Sequence, residues 1–213
     1  MSKVIAVDGT AASGKGTIAK KLAEKFDFAY LDTGKLYRAV GYNVVRFGGD
    51  AEDEEAALDS ARSLNYTALE DDALKSDEAA QAASKVAAMP EVRAALLEFQ
   101  KNFAAIPPDG KQGAVLDGRD IGTVVCPDAD SKIYMTASVE IRAERRHKEL
   151  IQRGESSIYK RVLEDLKERD QRDSNRAVAP LKPADDAVFI DTSDMTIEEA
   201  FEAALKAVNI SKS

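Results

Sequence analysis

The residues whose types best fit a chemical task lie near the start of the chain, between Gly9 and Thr17. Glycines in this segment free the backbone to point consecutive N–H groups inward, where they can hold phosphate oxygens. The apolar residues 4–7 precede the segment, and residues 18–25 have the pattern of a helix. A helix N-terminus adds positive potential behind bound phosphates, and Lys15 supplies a charge for the outer ones. The segment therefore predicts a phosphate-binding loop for a nucleoside triphosphate. Its members are Gly9, Thr10, Ala11, Ala12, Ser13, Gly14, Lys15, Gly16 and Thr17.

The position after Lys15 departs from the common form of such a loop. That form has a serine or threonine there to hold Mg²⁺, whereas this chain has Gly16 and brings its hydroxyl one place later, at Thr17. The GKGT ending resembles the loops of nucleoside monophosphate kinases more than those of switch GTPases. Thr17 is therefore a candidate Mg²⁺ ligand, and the alternative is an ion held through ATP phosphates and water.

A second group of charged residues follows another short apolar run, residues 114–116. Asp117, Gly118, Arg119 and Asp120 come directly after this run, where a parallel sheet binds its ligands. Asp120 can accept a hydrogen bond from an exocyclic amine, and Arg119 can pair with a phosphate in two-pronged fashion. The alternative is a plain Asp-Gly turn stabilised by local charge pairs.

Short apolar runs separated by helical patterns would position these groups. The runs lie at residues 4–7, 28–31, 114–116, 132–135 and 187–190. Apolar runs this short are typical of a parallel sheet with helices on both faces, so the sequence predicts an α/β fold. The helical patterns between and after them lie at residues 34–47, 51–64, 90–103, 139–151 and 158–172.

Two connections in this predicted sheet are longer than a single crossover helix requires. Residues 32–113 separate the second and third runs, which predicts a lobe of its own. The connection between the last two runs is rich in arginine. We expect most of these arginines to form ion pairs with glutamates one helical turn away, and the remainder to close over phosphates. They are Arg142, Arg145, Arg146, Arg153, Arg161, Arg169, Arg172 and Arg176, and the glutamates are Glu144, Glu149, Glu164 and Glu168.

Composition restricts the class of protein. The chain has 213 residues, of which 44% are hydrophobic and 32% charged, as in globular proteins that bury a core. A net charge of -8 argues against a nucleic-acid partner, whereas a small anionic substrate needs only a local basic pocket. We expect no signal peptide, no membrane partner and a cytoplasmic location. Cys126 is the single cysteine, which excludes an internal disulfide and a cysteine-built metal site.

Four motifs together resemble the bacterial cytidylate kinase family. They are the phosphate loop, LDTGKLYR at residues 31–38, DGRDIGTVV at 117–125 and RDQRDSNRAVAPL at 169–181. The resemblance extends from Lys3 to about Lys206 and implies a five-stranded parallel sheet of order 2-3-1-4-5. It also implies a core at residues 1–33, 84–145 and 177–213, a monophosphate-binding lobe at 34–83, and a lid with the following helix at 146–176. The implied reaction transfers a phosphoryl group from ATP to CMP or dCMP with Mg²⁺, and nothing in the sequence demands more than a monomer.

The same resemblance implies a role for each matched residue. The catalytic charges would be Lys15, Arg119, Arg169 and Arg176. The residues that bind the acceptor nucleotide would be Thr33, Arg38, Ser84, Arg93, Arg119, Asp120, Asp173 and Arg176. Within that set, Ser84, Arg93 and Asp120 match positions that meet the cytosine, and Arg38 matches one that meets its phosphate.

The chain departs from the family pattern in one segment, and other functions stay open. Between Leu64 and Ser84 the family often carries a small three-stranded insertion, but residues 65–72 leave room for little more than one short strand. A kinase for UMP, AMP or shikimate is one alternative, and an ATP-dependent switch module is another. The switch lacks a base-recognition sequence such as NKxD and leaves the arginine-rich connection unexplained.

Overall fold

The computed structural model describes residues 2–65, 69 and 72–208. Its strands form one parallel sheet, with the order β2-β3-β1-β4-β5 that the resemblance implies. The α/β class and the strand order are thus confirmed. The strands are β1 (Lys3–Gly9), β2 (Ala29–Asp32), β3 (Gly113–Gly118), β4 (Ser131–Thr136) and β5 (Val188–Asp191).

Helices connect the strands and cover the sheet. They are α1 (Lys15–Phe26), α2 (Thr33–Arg46), α3 (Glu54–Arg62), α4 (Asp77–Val86), α5 (Pro90–Ala105), α6 (Val139–Gln152), α7 (Tyr159–Ser174) and α8 (Ile197–Ala207). Most of them match a predicted pattern. Helix α3 is shorter than predicted because the Asp53 side chain caps it, accepting hydrogen bonds from the N–H groups of Glu55 and Ala56.

Helix α4 was not predicted from the sequence. Its buried residues Ala79, Ala82, Ala83 and Val86 have helical spacing, but most of them are alanines, which are a weaker apolar signal than larger side chains. Ser76 accepts a hydrogen bond from the N–H of Ala79 and begins the helix as a typical cap residue. The expected short strand at residues 65–72 falls largely on 66–68, 70 and 71, which lie outside the described residues. A single 3₁₀ turn, Asp72–Lys75, precedes α4.

The sheet brings the ends of its central strands to one edge. Val7 of β1 is in register with Asp117 of β3, and Asp32 of β2 is in register with the same Asp117. Gly9 ends β1 in tight contact with β4, where a Cβ atom would lie 1.8 Å from the carbonyl oxygen of Met135. Only glycine therefore lets the chain leave β1 and enter the loop at this point.

Two helical units stand over this edge. Helices α2, α3, α4 and the first part of α5 share an apolar core that includes Leu36, Val40 and Leu96. Helices α6 and α7 pack against each other around Leu150 and Leu166. The division of the chain into core, lobe and lid ranges stays a prediction, and α4 runs across the predicted limit at residue 83. In the part of the chain that the structure describes, no helix has the length and apolar character needed to cross a membrane.

Candidate active site

A cleft of about 370 Å³ opens at the carboxyl edge of the sheet. Its walls come from the β1–α1 loop, from α2, α4 and α5, from the loop after β3, and from α7. With two exceptions, every residue predicted for the site lines this cleft. The exceptions are Gly9 and Thr10. Thr10 donates its N–H to the carbonyl oxygen of Met135 at 3.2 Å, so these two residues connect the loop to the sheet rather than line the cleft.

The β1–α1 loop presents the N-terminus of α1 to the cleft. Gly14 has a φ of 87°, a left-handed conformation that favours glycine, and its carbonyl accepts the first hydrogen bonds of the helix. The first turn of α1 carries no acidic residue, so its positive potential is not offset. Ser13 is buried, and its hydroxyl donates to the Thr10 carbonyl at 3.0 Å. This arrangement is suited to binding a phosphate.

Lys15 extends from this loop into the cleft and is only weakly paired. Its Nζ atom lies 3.6 Å from Asp117 Oδ1 and 3.5 Å from the Thr10 carbonyl oxygen. Burial lowers the pKa of Lys15 to about 8, and repulsion from Arg119 adds to the shift, against the attraction of Asp117. The ammonium group therefore stays available to a stronger anionic partner.

Asp117 lies beside Lys15 and was not among the residues predicted for the site. Burial raises the pKa of its carboxyl group although Lys15 opposes the shift, and Oδ1 has no hydrogen-bond partner among the described residues. A Cβ atom on Gly16 would lie 3.0 Å from Asp117 Oδ2, so glycine after the lysine leaves room for this carboxylate. The sequence could have identified Asp117, because this carboxylate directly follows an apolar strand pattern and directly precedes a glycine.

The cleft is also lined by a buried ion pair between Arg93 of α5 and Asp120 of the loop after β3. Arg93 Nη2 donates to Asp120 Oδ2, and the two side chains are only 8% and 6% exposed. Arg93 also donates to the carbonyl of Ala87 at 3.3 Å, and its guanidinium lies 5.4 Å from the ring centre of Tyr37. Tyr37 lines the cleft as well and was missed, although it lies in the LDTGKLYR motif.

Asp173 near the end of α7 connects three further predicted residues. It accepts from Arg119 Nε at 3.1 Å and from the Ser84 hydroxyl at 3.3 Å, and Arg169 Nε lies 3.9 Å away. Burial alone would raise the pKa of Asp173, but Arg119, Arg169 and Arg176 together hold it below its usual range. Asp173 therefore fixes the directions of cations that face the cleft.

Two of these cations keep donors free for a ligand. Arg169 Nε and Arg176 Nη2 are buried and without a hydrogen-bond partner in the described part of the chain. Burial lowers the pKa of Arg169 to about 10, and repulsion from Arg119 contributes. Buried cationic donors that lack a hydrogen-bond partner are costly, and both arginines line the cleft, so an anionic ligand in the cleft would offset part of this cost.

The remaining predicted residues stand at the start of α2. Arg38 Nη2 donates to Asp32 Oδ2 at 2.6 Å, and the Thr33 hydroxyl donates to the carbonyl of Asp117 at 2.8 Å. These contacts attach α2 to the ends of β2 and β3. They bring Arg38 into the same cleft as the phosphate loop, although the two segments come from different strands.

The expectation that most arginines after β4 pair with nearby glutamates was wrong. Arg142 is buried and donates to Asp170 of α7 and to the Ala11 carbonyl, and Arg145 donates to the carbonyl of Thr192 at 2.6 Å. Among the described residues, Arg153 forms an ion pair with Glu149 four positions away, and Arg146 forms one with the same glutamate three positions away. Buried carbonyls and an interhelical carboxylate bind guanidinium groups better than exposed glutamates, because water screens them less.

Comparison with known proteins gives one consistent result. The model of a family described as cytidylate kinase matches residues 5–210. A cytidylate kinase of Paramagnetospirillum magneticum is 60% identical over 205 residues, which cover 96% of this chain and 97% of that protein. A cytidylate kinase of Rhodospirillum rubrum is 59% identical and covers 95% of each chain. That of Caulobacter sp. strain K31 is 50% identical, covering 100% of this chain and 96% of its own.

Solved structures support the fold alone. An unliganded sugar kinase from Janibacter sp. HTCC2649 superposes with a TM-score of 0.52 at 14% identity, covering 99% of this chain and 96% of that one. An uncharacterized protein from Eubacterium ventriosum ATCC 27560 gives a TM-score of 0.53 at the same identity, covering 98% and 99%. Identity this low carries no information on substrates.

Proposed function

This chain belongs to the cytidylate kinase family, whose members phosphorylate CMP with ATP, and we propose that the cleft at the carboxyl edge of its sheet carries out this transfer. The products would be ADP and CDP, or dCDP when dCMP is the acceptor. One observation carries the assignment: Lys15 of the phosphate loop and the Arg93–Asp120 pair line the same cleft. Donor and acceptor would therefore meet in one enclosed space.

The donor side of the cleft suits the phosphates of ATP. Backbone N–H groups at the start of α1 would bind the inner phosphates, and Lys15 would bind the outer ones. A pKa of about 8 keeps Lys15 mainly protonated at neutral pH, and its 3.6 Å separation from Asp117 leaves it free to pair with phosphate. The free energy of binding then comes from charge-assisted hydrogen bonds inside a buried site.

The same side fits a magnesium ion held mainly through the phosphates of ATP. Asp117 Oδ1 is a buried oxygen that lacks a hydrogen-bond partner among the described residues, and Thr17 is exposed at the start of α1. The described ranges contain no group of three or more histidine, cysteine, aspartate or glutamate side chains that could hold a metal ion. Mg²⁺ usually takes one or two protein ligands plus phosphates and water. Asp117 and Thr17 would be those ligands, and the bound ion would neutralise charge on the phosphate oxygens.

The acceptor side has groups that match the edge of cytosine. Cytosine carries an amino donor where uracil carries a carbonyl acceptor. The carboxylate of Asp120 would accept from this amine, and Arg93 and Ser84 would donate to the acceptor atoms beside it. With UMP, the Asp120 carboxylate would face an oxygen and lose its hydrogen bond, which costs far more than a missing methyl group.

Charge stabilisation would supply most of the catalysis. Phosphoryl transfer requires alignment and neutralisation of the equatorial oxygens rather than a covalent intermediate, and no general base is needed. Arg119, Arg169 and Arg176 would neutralise this charge. Arg169 and Arg176 support that role, because both line the cleft and each has a buried donor, Nε and Nη2, without a hydrogen-bond partner among the described residues. Helices α6 and α7 would cover the cleft and exclude water as a competing acceptor.

A panel of acceptors tests the reaction directly. ADP release would be measured with the purified protein, ATP and Mg²⁺ in the presence of CMP, dCMP, UMP, AMP or shikimate, and with no acceptor. We expect the largest kcat/KM with CMP or dCMP. A larger value with UMP, AMP or shikimate would identify a different acceptor, and release that is independent of any acceptor would identify a nucleotide switch.

The role of Asp120 is tested by the ratio of kcat/KM for CMP to that for UMP. Asp120→Ala should lower this ratio, and an unchanged ratio would refute base selection by Asp120. Circular dichroism of the variant shows whether it remains folded, since Arg93 loses its buried partner.

We also propose that the enzyme acts in the cytoplasm as a monomer. Light scattering on a size-exclusion column would test the oligomeric state.

A further inference from the structure

Asp8, the residue before Gly9, has a buried carboxylate for which the proposed reaction has no use. It is 4% exposed, and both of its oxygens are bound to backbone. Oδ1 accepts from the N–H of Ile121 at 2.8 Å, and Oδ2 accepts from the N–H of Gly122 at 2.8 Å. A side chain at the end of β1 thus binds the segment that follows β3, directly after Asp120.

The segment that Asp8 binds is a single π-helical turn, Ile121–Val125. The first N–H groups of such a turn have no partner inside it, and Asp8 supplies acceptors for two of them. The carbonyl of Asp120 closes the turn by accepting from Val124 at 2.9 Å and from Val125 at 3.2 Å. Isolated π turns are rare and occur mostly at functional sites. The position of the Asp120 backbone therefore depends on this turn, and the turn depends on Asp8.

A carboxylate is the side chain that this position requires. Asparagine has almost the same shape, but only one of its terminal atoms accepts hydrogen bonds, and its amide would face a backbone N–H. The charged form of Asp8 is costly, because burial raises its pKa to about 7. Repulsion from Asp120 and Asp117 also raises this pKa, whereas the two backbone hydrogen bonds lower it. The two backbone hydrogen bonds favour the charged form, which is the form that accepts at both oxygens.

We propose that Asp8 is a positioning residue for base selection, whose two hydrogen bonds to Ile121 and Gly122 hold Asp120 where it meets the acceptor base. This inference rests on the proposed function, in which Asp120 distinguishes CMP from UMP. Asp8 would then link the donor and acceptor sides of the cleft, because it directly precedes the phosphate loop and fixes the position of the acceptor wall. Asp8 itself touches neither substrate.

The test is Asp8→Asn, measured as the ratio of kcat/KM for CMP to that for UMP. We expect the ratio to fall about tenfold, as for the loss of one hydrogen bond to a charged group. The fall should come mainly from a higher KM for CMP, with the KM for ATP nearly unchanged. A role in stability alone would lower the folded fraction and reduce both kcat/KM values equally. An unchanged ratio in the folded variant would overturn the proposal.

Asp130→Asn is the matched control. Asp130 Oδ2 also accepts a backbone hydrogen bond from β1, from Val4 at 2.8 Å, but at the opposite end of the strand. This variant should keep the CMP to UMP ratio of the wild type. If both variants changed the ratio alike, loss of any carboxylate contact to β1 would explain the effect, and the proposal would fail.

A double-mutant cycle with Asp120→Ala separates this inference from the proposed function. If Asp8 acts through Asp120, then Asp8→Asn should not change the ratio further once Asp120 is alanine. An equal fall in both backgrounds would overturn the inference. If Asp120→Ala itself left the ratio unchanged, base selection by Asp120 would fail first. If Asp120→Ala lowered the ratio and Asp8→Asn did not, the inference about Asp8 alone would be refuted.

A second variant covers the case in which Asp8→Asn does not fold. Asp8→Ser removes the buried carboxylate and leaves one shorter hydroxyl group, so at least one of the N–H groups of Ile121 and Gly122 loses its acceptor. Asp8→Ser should therefore lower the ratio as well. A folded Asp8→Ser protein with an unchanged ratio would overturn the proposal.

Discussion

Replacing Lys15 by methionine should stop phosphoryl transfer and at the same time stabilise the unliganded protein. The lysine side chain is 11% exposed, and its ammonium group pairs only loosely with Asp117, at 3.6 Å. Burial lowers its pKa from 10.5 to about 8, and repulsion from Arg119 adds to the effect. Methionine has a similar unbranched shape and no charge to bury. The native lysine therefore lowers the free energy of unfolding, and it is retained because the reaction requires its charge.

The magnitude follows from the pKa shift of Lys15. One pKa unit corresponds to about 1.4 kcal/mol, so a fall from 10.5 to about 8 makes the charged lysine unfavourable by about 3 kcal/mol at pH 7. Part of this gain is lost because Asp117 no longer has the cation that opposes its own pKa rise. We expect a net stabilisation of about 1–3 kcal/mol for Lys15→Met.

The sign of the pH dependence is fixed by linkage. The pKa of Lys15 is lower in the folded than in the unfolded protein, so the penalty is complete below pH 8 and disappears as the pH rises toward 10.5. The advantage of methionine should therefore shrink over this interval. Groups that do not interact with Lys15 titrate alike in both proteins, so their contributions cancel in the difference between variant and wild type.

Urea unfolding at pH 7 and pH 10 measures this difference, and ADP release measures turnover. Lys25→Met, at an exposed lysine of the same helix, is the control and should change the free energy of unfolding by no more than about 0.5 kcal/mol. Turnover of Lys15→Met should fall by at least about 10²–10³-fold. A variant less stable than the wild type at pH 7, or a gain that persists at pH 10, would refute the reasoning. Near-normal turnover would refute the role of Lys15.

Three further predictions concern other parts of the cleft and its support. Arg93→Met leaves the Asp120 carboxylate buried without its partner and should lower the free energy of unfolding by about 3–5 kcal/mol in urea titrations; a change under 1 kcal/mol would contradict it. In wild type, kcat/KM for ATP should decline above about pH 8 as Lys15 loses its proton, and a flat profile to pH 9.5 would argue against this. Gly41→Ala places a Cβ 2.7 Å from the carbonyl carbon of Ala82, so α2 and α4 must separate, at about 1–3 kcal/mol; an unchanged melting temperature would be inconsistent with this packing.

Features that depend on neighbouring residues could be predicted from the sequence. Glycine spacing and the strand-to-helix order around Lys15 identify a phosphate loop because the geometry is local. Short apolar runs predict the parallel sheet because strands buried on both faces have no polar side. The motif resemblance supplied the strand order, and the structure agrees with it. Helix α4 was not predicted because its buried face, although spaced as in a helix, consists mainly of alanine rather than of larger apolar residues.

Contacts between distant residues were decided only by the tertiary structure. Arg93 and Asp120 are 27 positions apart, and Asp8 and Ile121 are 113 apart, so no local pattern records that they meet. The arginines after β4 were assigned to neighbouring glutamates because sequence spacing reveals only those partners. Arg142 and Arg145 instead bind groups on other elements, where burial strengthens the contact. Residue types and local spacing thus specified which chemistry was possible, whereas the order of the parallel strands decided which charges share one low-dielectric cleft.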